Sequence, residues 1–377
     1  MVDATRRHCV FVIGTRAQLI KVAPVVVACE KAGLPVTLLM TGQHQETMQD
    51  MIEEFGIRSA PVPAMRIAER ATVGSLLRWL PAAYAGVSRH LRRMSSQSKL
   101  NVLVHGDTLS TLIGAIAGRR HGACVVHLES GLSSGRLFDP FPEEILRRLV
   151  FCFTDIAMCP NPVAVRRMRE RRRPAVVDTG GNTIIDAVSM SGAASVIADH
   201  TKPYFVVSLH RFQNLYDARR LKALVELIEQ CGQLAPVHFI LHPATRKRLV
   251  AEGLDERLRV AAQVNLSPRL GYGAFLRLAA GAACVLTDGG SNQEELAALG
   301  VPTIIMRERT ERPDGLGVNA LMEAEVPGGV ATFLETRSYI SLRREPSPQG
   351  GGSPSHRIVA VLAESLETVD ESQETRR

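Results

Sequence analysis

The sequence is poor in aromatic residues: one Trp, five Tyr and eleven Phe make up only 5% of its 377 residues. Proteins that stack nucleic-acid bases need such side chains, so an extensive base-stacking surface is not expected. A net charge of +7 is the main feature that favours nucleic acid as a partner. The arginine-rich run 166–173 is its best candidate, and a solvated helix face explains that run more simply. We therefore expect no nucleic-acid partner.

Three further absences narrow the class of protein. The seven cysteines form no close metal-type pair, so we expect buried thiols in a reducing compartment. No apolar run is long enough for a membrane span, and no secretory signal peptide is recognisable, so we expect a cytoplasmic protein without membrane insertion. The first strand is not followed by the G-x-G-x-x-G fingerprint, so a dinucleotide cofactor is not indicated.

Strand-like and helix-like segments alternate along the chain, which predicts βαβ units and a mostly parallel sheet. The strand-like segments are 8–13, 36–40, 102–104, 124–126, 156–159, 175–177, 204–209, 238–241, 284–287 and 303–306. Helical periodicity covers 18–31, 46–55, 219–231, 245–252, 292–299 and 358–366. We predict an α/β protein with two Rossmann-like domains, 1–190 and 191–353, followed by a C-terminal helix and tail in 354–377.

Three acidic residues, Asp107, Glu129 and Glu143, stand at or just past apolar runs. Because the carboxyl ends of strands in an open α/β sheet face the ligand crevice, we expect their carboxylates to converge on one cleft. Neighbouring carboxylates in different surroundings can divide acid and base roles between them. The alternative is stabilisation of a helix start, which fits Glu143, directly after Pro142, best.

Other strand ends carry groups suited to a phosphate. Gly14-Thr15-Arg16 follows the first strand, and Arg16 offers planar donors to a phosphate or a base edge unless it forms a surface salt bridge. Gly290 and Ser291 open a predicted helix, where backbone N–H groups bind anions; a simple glycine turn is the alternative. His210 ends another strand and suits phosphate contact or proton transfer, unless its neighbours simply satisfy it.

In their order along the chain, these motifs resemble those of the non-hydrolysing UDP-N-acetylglucosamine 2-epimerase family. The resemblance runs from about Val10 to about Met322. Its motifs are Gly14-Thr15-Arg16 with Lys21, Gly42 to Glu46, His105 to Thr108, His127 to Leu132, Phe141 to Glu144, Gly181 to Asp186, His210-Arg211, Thr287 to Glu295 and Thr310 to Pro313. It implies a GT-B architecture, with two domains facing a central cleft, the last helix crossing back to the first domain, and a homodimer.

The resemblance also implies a reaction without a metal or a redox cofactor. UDP is eliminated across C1 and C2 of the sugar, which gives a 2-acetamidoglucal, and adds back after reprotonation of C2 on the opposite face. The implied catalytic residues are Asp107, Glu129, Glu143 and His210. The implied UDP or substrate contacts are Arg16, Lys21, Arg211, Phe275, Gly290, Ser291, Glu295 and Arg312.

Several of these assignments keep a structural alternative. Lys21 could be merely exposed, Phe275 could be core, and Arg312 could form a loop salt bridge. The resemblance places Glu295 on the ribose hydroxyls and Phe275 beside the uracil. Gln43 and His44 match the region where bacterial members bind a second substrate molecule.

The chain departs from the family pattern near the implied site. Ala17-Gln18 replaces the usual Pro-Glu, and Ser133 replaces an arginine. Phe212-Gln213 replaces polar and acidic residues, and Gly289-Gly290-Ser291 replaces the usual Ser-Gly-Gly. Gln45 replaces another arginine. These changes leave open a modified UDP sugar as substrate, or a hydrolysing epimerase. A non-catalytic UDP-sugar-binding relative is a further alternative, against which the retention of all three acids argues.

Overall fold

The computed structural model describes residues 7–42, 48–65, 73–133, 135, 142–171, 173–310, 312–346 and 352–364. Gln43, His44 and the C-terminal tail from 365 onwards lie outside these ranges. The chain divides into two compact units. Unit 1 comprises Met1–Ala187 and Gly351–Arg377, and unit 2 comprises Val188–Gly350. The first unit is therefore built from two separate stretches of the chain.

Unit 1 contains a parallel, seven-stranded sheet. Its strands are β1 (His8–Ile13), β2 (Val36–Met40), β3 (Pro61–Pro63), β4 (Leu100–His105), β5 (Cys124–Leu128), β6 (Ile156–Cys159) and β7 (Ala175–Asp178). The helices between them are α1 (Arg16–Lys31), α2 (Gln49–Glu54), α3 (Val73–Ser95), α4 (Leu109–Arg120), α5 (Glu143–Phe153) and α6 (Pro162–Arg169), and α7 (Ile184–Met190) follows β7. The strand order is β3-β2-β1-β4-β5-β6-β7, so the order reverses between β1 and β4. Ligands of such sheets bind outside the carboxyl ends of the strands at this reversal.

Gln18 joins the ends of the two strands at the reversal. Thr15 caps α1 because its hydroxyl accepts from the Gln18 N–H at 3.2 Å, and Gln18 Oε1 accepts in return from the Thr15 N–H at 3.2 Å. The Gln18 Nε2 donates to the carbonyl oxygen of His105, at the end of β4, at 2.8 Å. A glutamate, the residue usual in the family at this position, has no N–H for that last bond.

Unit 2 contains a parallel, six-stranded sheet in the order β10-β9-β8-β11-β12-β13. The strands are β8 (Phe205–Ser208), β9 (Val237–Leu241), β10 (Val264–Pro268), β11 (Cys284–Thr287), β12 (Thr303–Ile305) and β13 (Ala320–Met322). The helices are α8 (Phe212–Tyr216), α9 (Ala218–Leu234), α10 (Pro243–Ala251), α11 (Leu254–Val260), α12 (Tyr272–Gly281), α13 (Gly290–Ala298) and α14 (Gly329–Glu335). This sheet reverses its order between β8 and β11, so each unit has its own switch point.

The last described helix, α15 (Pro354–Glu364), belongs to unit 1 and packs against α1. Ile358 and Leu362 are each only 1% exposed. The Ser355 N–H donates to the buried carboxylate of Asp186 at 2.8 Å. The predicted return of the C-terminal helix to the first domain is therefore confirmed.

The arginine-rich run 166–173 makes structural contacts within unit 1. Arg167 donates to the carbonyl oxygen of Gly131 at 2.6 Å, and the Arg171 guanidinium lies 4.9 Å from the ring centre of Phe151. These contacts give both arginines a structural role within unit 1. Of the seven free cysteines, five are buried, but Cys152 is exposed, contrary to the expectation for it. None of the helices in the described ranges is long and apolar enough to cross a membrane.

Candidate active site

Glu129 directly follows β5, and its carboxylate is held by fixed donors. Its backbone φ is +59°, a left-handed conformation that is costly for a residue with a side chain and is often found at functional sites. Lys21 Nζ lies 2.6 Å from Oε1, and Asn182 Nδ2 donates to the same oxygen at 2.7 Å. The Lys21 and Glu129 side chains are 4% and 11% exposed, so the two form a largely buried ion pair. His105 Nε2 lies 3.5 Å from Oε2. Lys21 is thus neither exposed nor a surface residue, but the partner of Glu129.

Asp107 follows β4 and belongs to a second group of charges. Arg147, on α5, donates to Asp107 Oδ2 through Nη2 and to Glu144 Oε2 at 2.8 Å through Nη1. The Glu144 side chain is fully buried and also accepts from Arg148 Nε at 3.0 Å and from the Ser133 hydroxyl. Ser133, which stands where the family usually has an arginine, therefore contributes a hydroxyl to this buried carboxylate.

His127 lies inside β5 and holds the turn that carries Asp107. The ring is fully buried, and burial lowers the pKa of His127 to about 4, so the imidazole is neutral at pH 7. The Nε2 atom lies 2.8 Å from the carbonyl oxygen of Gly106, so the neutral ring donates its proton there. The sequence pattern did not predict this role, because His127 stands in an otherwise apolar run.

Glu143 is the first residue of α5 and is half-buried. Its position after Pro142 agrees with the alternative that Glu143 stabilises the start of the helix, since a carboxylate in the first turn interacts favourably with the helix dipole. The Oε2 atom is buried and has no hydrogen-bond partner among the described residues. The carboxylate therefore retains acceptor capacity that this part of the chain does not use.

Arg16 forms a two-pronged salt bridge with Asp50 on α2. The Nη1–Oδ1 and Nη2–Oδ2 distances are 3.0 and 3.2 Å. The alternative of a salt bridge is therefore present in this structure. The Asp50 side chain is 56% exposed and the Arg16 side chain is 14% exposed, so water reaches the pair mainly from the carboxylate side, where a phosphate can compete for the guanidinium.

In unit 2, the buried carboxylate of Asp288 organises the residues after β8. It accepts from the backbone N–H groups of His210 and Arg211 at 2.9 and 3.0 Å and from Asn214 Nδ2 at 2.8 Å. His210 Nδ1 lies 3.3 Å from Oδ1. Burial lowers the pKa of His210 and outweighs the opposing effect of Asp288, which favours a neutral ring near pH 7.

The start of α13 carries the predicted anion site. Gly290 and Ser291 form its first turn and are half-buried, and the N–H groups of a first turn have no acceptor within their own helix. A Cβ atom on Gly289 would lie 3.1 Å from His210 Cε1 and 3.2 Å from Asn292 Cγ. Glycine at this position, where the family usually has serine, thus allows His210 to approach the helix start.

The remaining predicted residues of unit 2 lie on α13, in the loop that follows β12, and on α12. Glu295 is 2% exposed on α13. Arg312 forms an ion pair with Glu294, which is the loop salt bridge named as its alternative. Gln293 Nε2 donates to the carbonyl oxygen of Arg312 at 2.9 Å and thereby fixes the loop to the helix. Phe275 is half-buried on α12.

The structure thus pairs Glu129 with Lys21 and Asp107 with Arg147 in unit 1, and His210 with Asp288 in unit 2. Among the described residues, no group of three or more His, Cys, Asp or Glu side chains is arranged to hold a metal ion.

Comparison with known proteins identifies the family to which the chain is similar. The family model described as UDP-N-acetylglucosamine 2-epimerase matches residues 27–363. The UDP-N-acetylglucosamine 2-epimerase of Methanocaldococcus jannaschii is 30% identical over 93% of this chain and 97% of its own. The UDP-2,3-diacetamido-2,3-dideoxy-D-glucuronate 2-epimerase of Pseudomonas aeruginosa is 31% identical over 93% and 98%.

A solved structure shares the fold over nearly the whole chain. The M. jannaschii UDP-GlcNAc 2-epimerase, in complex with UDP-GlcNAc and UDP, superposes with a TM-score of 0.72 at 27% identity, covering 95% of this chain and 99% of that one. The predicted fold class of two parallel-sheet α/β domains is confirmed. The chain belongs to the UDP-N-acetylglucosamine 2-epimerase family.

Proposed function

We propose that this protein converts UDP-N-acetylglucosamine to UDP-N-acetylmannosamine by inverting C2, without hydrolysis and without a cofactor. Family membership supports the proposal. The observation that carries it is the Glu129 carboxylate, which stands at a strand end on left-handed backbone with buried Lys21 and Asn182 as donors. A single, fixed orientation of this kind is what a group that transfers a proton in the transition state requires.

The proposed reaction needs two proton-transfer groups and no net oxidation. A base removes the C2 proton, the C–H electron pair forms the C1=C2 double bond, and the C1–O bond breaks with its electron pair leaving on UDP. For return, UDP adds to C1 of the glucal and an acid delivers a proton to the other face of C2. We assign these roles to Glu129 and Asp107, with Glu143 as a third carboxylate. Such acid–base groups contribute roughly 10²–10⁴ in rate.

UDP binding is assigned chiefly to unit 2. Gly290 and Ser291 offer a helix start to a phosphate, and the neutral ring of His210 offers one donor and one acceptor. Charge develops on the diphosphate as C1–O breaks, so donors fixed in advance stabilise the transition state more than the ground state. Glu295, Arg312, Arg211 and Phe275 are proposed contacts of the nucleoside and phosphates, and Arg16 is a proposed phosphate contact from unit 1.

Solvent isotope exchange tests the proposal directly. The protein is incubated with UDP-N-acetylglucosamine in D₂O, and C2 is followed by NMR. Deuterium at C2 and the appearance of UDP-N-acetylmannosamine are expected. Release of free N-acetylmannosamine would show the hydrolysing alternative instead. Absence of exchange from either epimer under all conditions tested would refute the assignment to this substrate.

A modified UDP sugar is the second candidate substrate. Its support is the 31% identity to the P. aeruginosa UDP-2,3-diacetamido-2,3-dideoxy-D-glucuronate 2-epimerase, together with the changed residues Ser133 and Phe212. The same D₂O assay, with both sugars at equal concentration, decides between the candidates. Faster exchange into the diacetamido sugar would make it the better substrate by kcat/KM.

The proposal also covers the oligomeric state and the cellular location of the protein. We propose a homodimer, as the family resemblance implies, and a cytoplasmic location. Light scattering coupled to size-exclusion chromatography tests the first, and fractionation of the source cells tests the second. A scattering mass near the chain's own 41.1 kDa would contradict the dimer.

A further inference from the structure

Glu144 is a buried charge next to the proposed catalytic acids, and the proposed reaction gives it no role. Its side chain is 0% exposed. Ionised carboxylates are rarely buried completely, because the loss of water must be offset by several hydrogen bonds or charges. Here the carboxylate accepts from two guanidinium groups and a hydroxyl, those of Arg147, Arg148 and Ser133. Charge-assisted bonds of this kind are the strong ones.

Arg147 connects this buried carboxylate to Asp107. Its Nη1 atom donates to Glu144 at 2.8 Å and its Nη2 atom donates to Asp107. A planar guanidinium that is bound at one nitrogen has little freedom at the other, so the orientation of the Glu144 bond sets that of the Asp107 bond. The three charges form a chain from the buried start of α5 to the end of β4.

We propose that Glu144 is a positioning residue: through Arg147 it fixes the Asp107 carboxylate for proton transfer at C2 of the sugar. Arg148 and the Ser133 hydroxyl hold Glu144 in turn. The inference rests on the proposed function of Asp107. The linkage of Glu144, Arg147 and Asp107 does not depend on that function. Each part is tested separately.

The first test is the kinetics of Glu144→Gln, which keeps the shape and removes the charge. We expect kcat to fall about 10- to 100-fold, since small misplacement of a reacting group costs that much. KM and the UDP Kd should stay within about twofold, because substrate binding is not affected. Glu30→Gln is the matched control: Glu30 is also a shielded carboxylate, with its side chain 7% exposed and bonds to the Arg58 and Ser59 N–H groups, but it lies in the last turn of α1. Its kcat should be unchanged.

The second test is additivity with Asp107→Asn. If Glu144 acts through Asp107, the Glu144→Gln change should cost no more than about twofold in kcat once Asp107 is already neutral. Arg147→Lys serves if Glu144→Gln does not fold, because a lysine is a single point charge that cannot bridge two carboxylates in the same way. Arg147→Lys should lower kcat as much as Glu144→Gln does. In the double variant with Asp107→Asn, it too should lower kcat by no more than about twofold.

Two results would overturn the inference while leaving the proposed function intact. One is an active wild type with normal kcat in Glu144→Gln. The other is a full, independent loss of kcat in the double variant. A wild type without C2 exchange would instead refute the proposed function. The linkage is then decided by urea midpoints of the two single variants and the double variant: non-additive shifts support it, and additive shifts reject it.

Discussion

At the residue scale, Glu129 combines backbone strain with a buried ion pair. Removing one partner of such a pair is costly because the other charge is left without compensation, often by about 3–5 kcal/mol. The Lys21 bond therefore holds the carboxylate in place, while the left-handed φ of Glu129 costs some stability. That balance is expected where orientation serves chemistry rather than folding.

Glu129→Gln should lower kcat by roughly a hundredfold or more, because a neutral amide cannot take or return the C2 proton. UDP binding should survive, since the proposed UDP contacts are chiefly in unit 2. Turnover by NMR and UDP affinity by calorimetry measure both effects. Glu170→Gln, at the exposed end of α6, is the control. Near-normal turnover in Glu129→Gln would remove this residue from the acid–base pair.

His127 should make stability depend on pH. Its pKa is about 4 when folded and about 6.5 in the unfolded chain. As the pH falls, His127 therefore takes up a proton in the unfolded chain before it does so in the folded protein. The contribution of the neutral His127 to the free energy of unfolding is fully present above pH 6.5 and is lost as the pH falls towards 4. At about 1.4 kcal/mol per pKa unit, the loss is about 3 kcal/mol.

Urea unfolding of wild type and His127→Gln between pH 7.5 and 4 measures this loss. The wild-type free energy of unfolding should fall more steeply, by about 3 kcal/mol over the window. The other histidines titrate in both proteins, so their contributions cancel in the comparison. Parallel curves would mean that His127 is not a buried neutral group.

The sequence predicted the positions of the acids better than their partners. Asp107 and Glu129 follow apolar runs, and this pattern alone predicts strand ends. Arg147 and Asn182 reach these acids from 40 and 53 residues away in the chain. Periodicity shows which face of an element a residue occupies, but not which side chains meet across separate elements.

At the element scale, α4 shows how the site-bearing strand is supported. Thr108, directly after Asp107, caps α4 by accepting from the Thr111 N–H at 3.2 Å. Gly114 and Gly118 allow the helix to lie close to the sheet. A Cβ on Gly114 would be 2.7 Å from Val104 Cγ1, whereas one on Gly118 would be 3.1 Å from its nearest neighbour, Val102 Cβ.

Gly114→Ala should destabilise the protein and Gly118→Ala should be close to neutral. Alanine gains about 1 kcal/mol of helix propensity at either position. Overpacking costs about 1–3 kcal/mol and should exceed that gain only at Gly114, where the nearest atom lies closer than real Cβ contacts allow. Thermal unfolding of both variants gives the order. A larger loss for Gly118→Ala would contradict this account of how α4 packs on the sheet.

Strands were predicted more closely than helices. The predicted bounds of β1, β2, β6 and β11 agree with the structure, because each is a compact apolar run. Neither β3, whose three residues are Pro61, Val62 and Pro63, nor the long helix α3, which contains Pro81, was predicted from the sequence. Proline is rare inside strands and helices, so only packing against neighbouring elements explains its presence here.

At the scale of the whole molecule, the two units share the same type of sheet topology. Both sheets are parallel, and both reverse their strand order once. Several proposed functional residues follow the strands next to that reversal: Arg16 follows β1, Asp107 follows β4, His210 follows β8 and Gly290 follows β11, while Glu129 follows β5, the neighbour of β4. Each unit also has its own hydrophobic core, around β4 and α4 in unit 1 and around β8 and α9 in unit 2. The C-terminal helix α15 belongs to unit 1, although the whole of unit 2 precedes it in the sequence.

Deletion of residues 352–377 should therefore destabilise unit 1 and spare unit 2. Ile358, Val359 and Leu362 are 1–7% exposed, and burial of each such side chain contributes about 1.5–3 kcal/mol. The deletion also removes the Ser355 N–H donor from Asp186. Hydrogen exchange followed by mass spectrometry should show faster exchange in α1 and in residues 180–187, with β8 to β13 unchanged. A control that ends at 364 retains the described helix α15 and should exchange more slowly in α1 and residues 180–187 than the deletion variant. Faster exchange confined to unit 2 would contradict the prediction, because it would show that α15 stabilises unit 2 rather than unit 1.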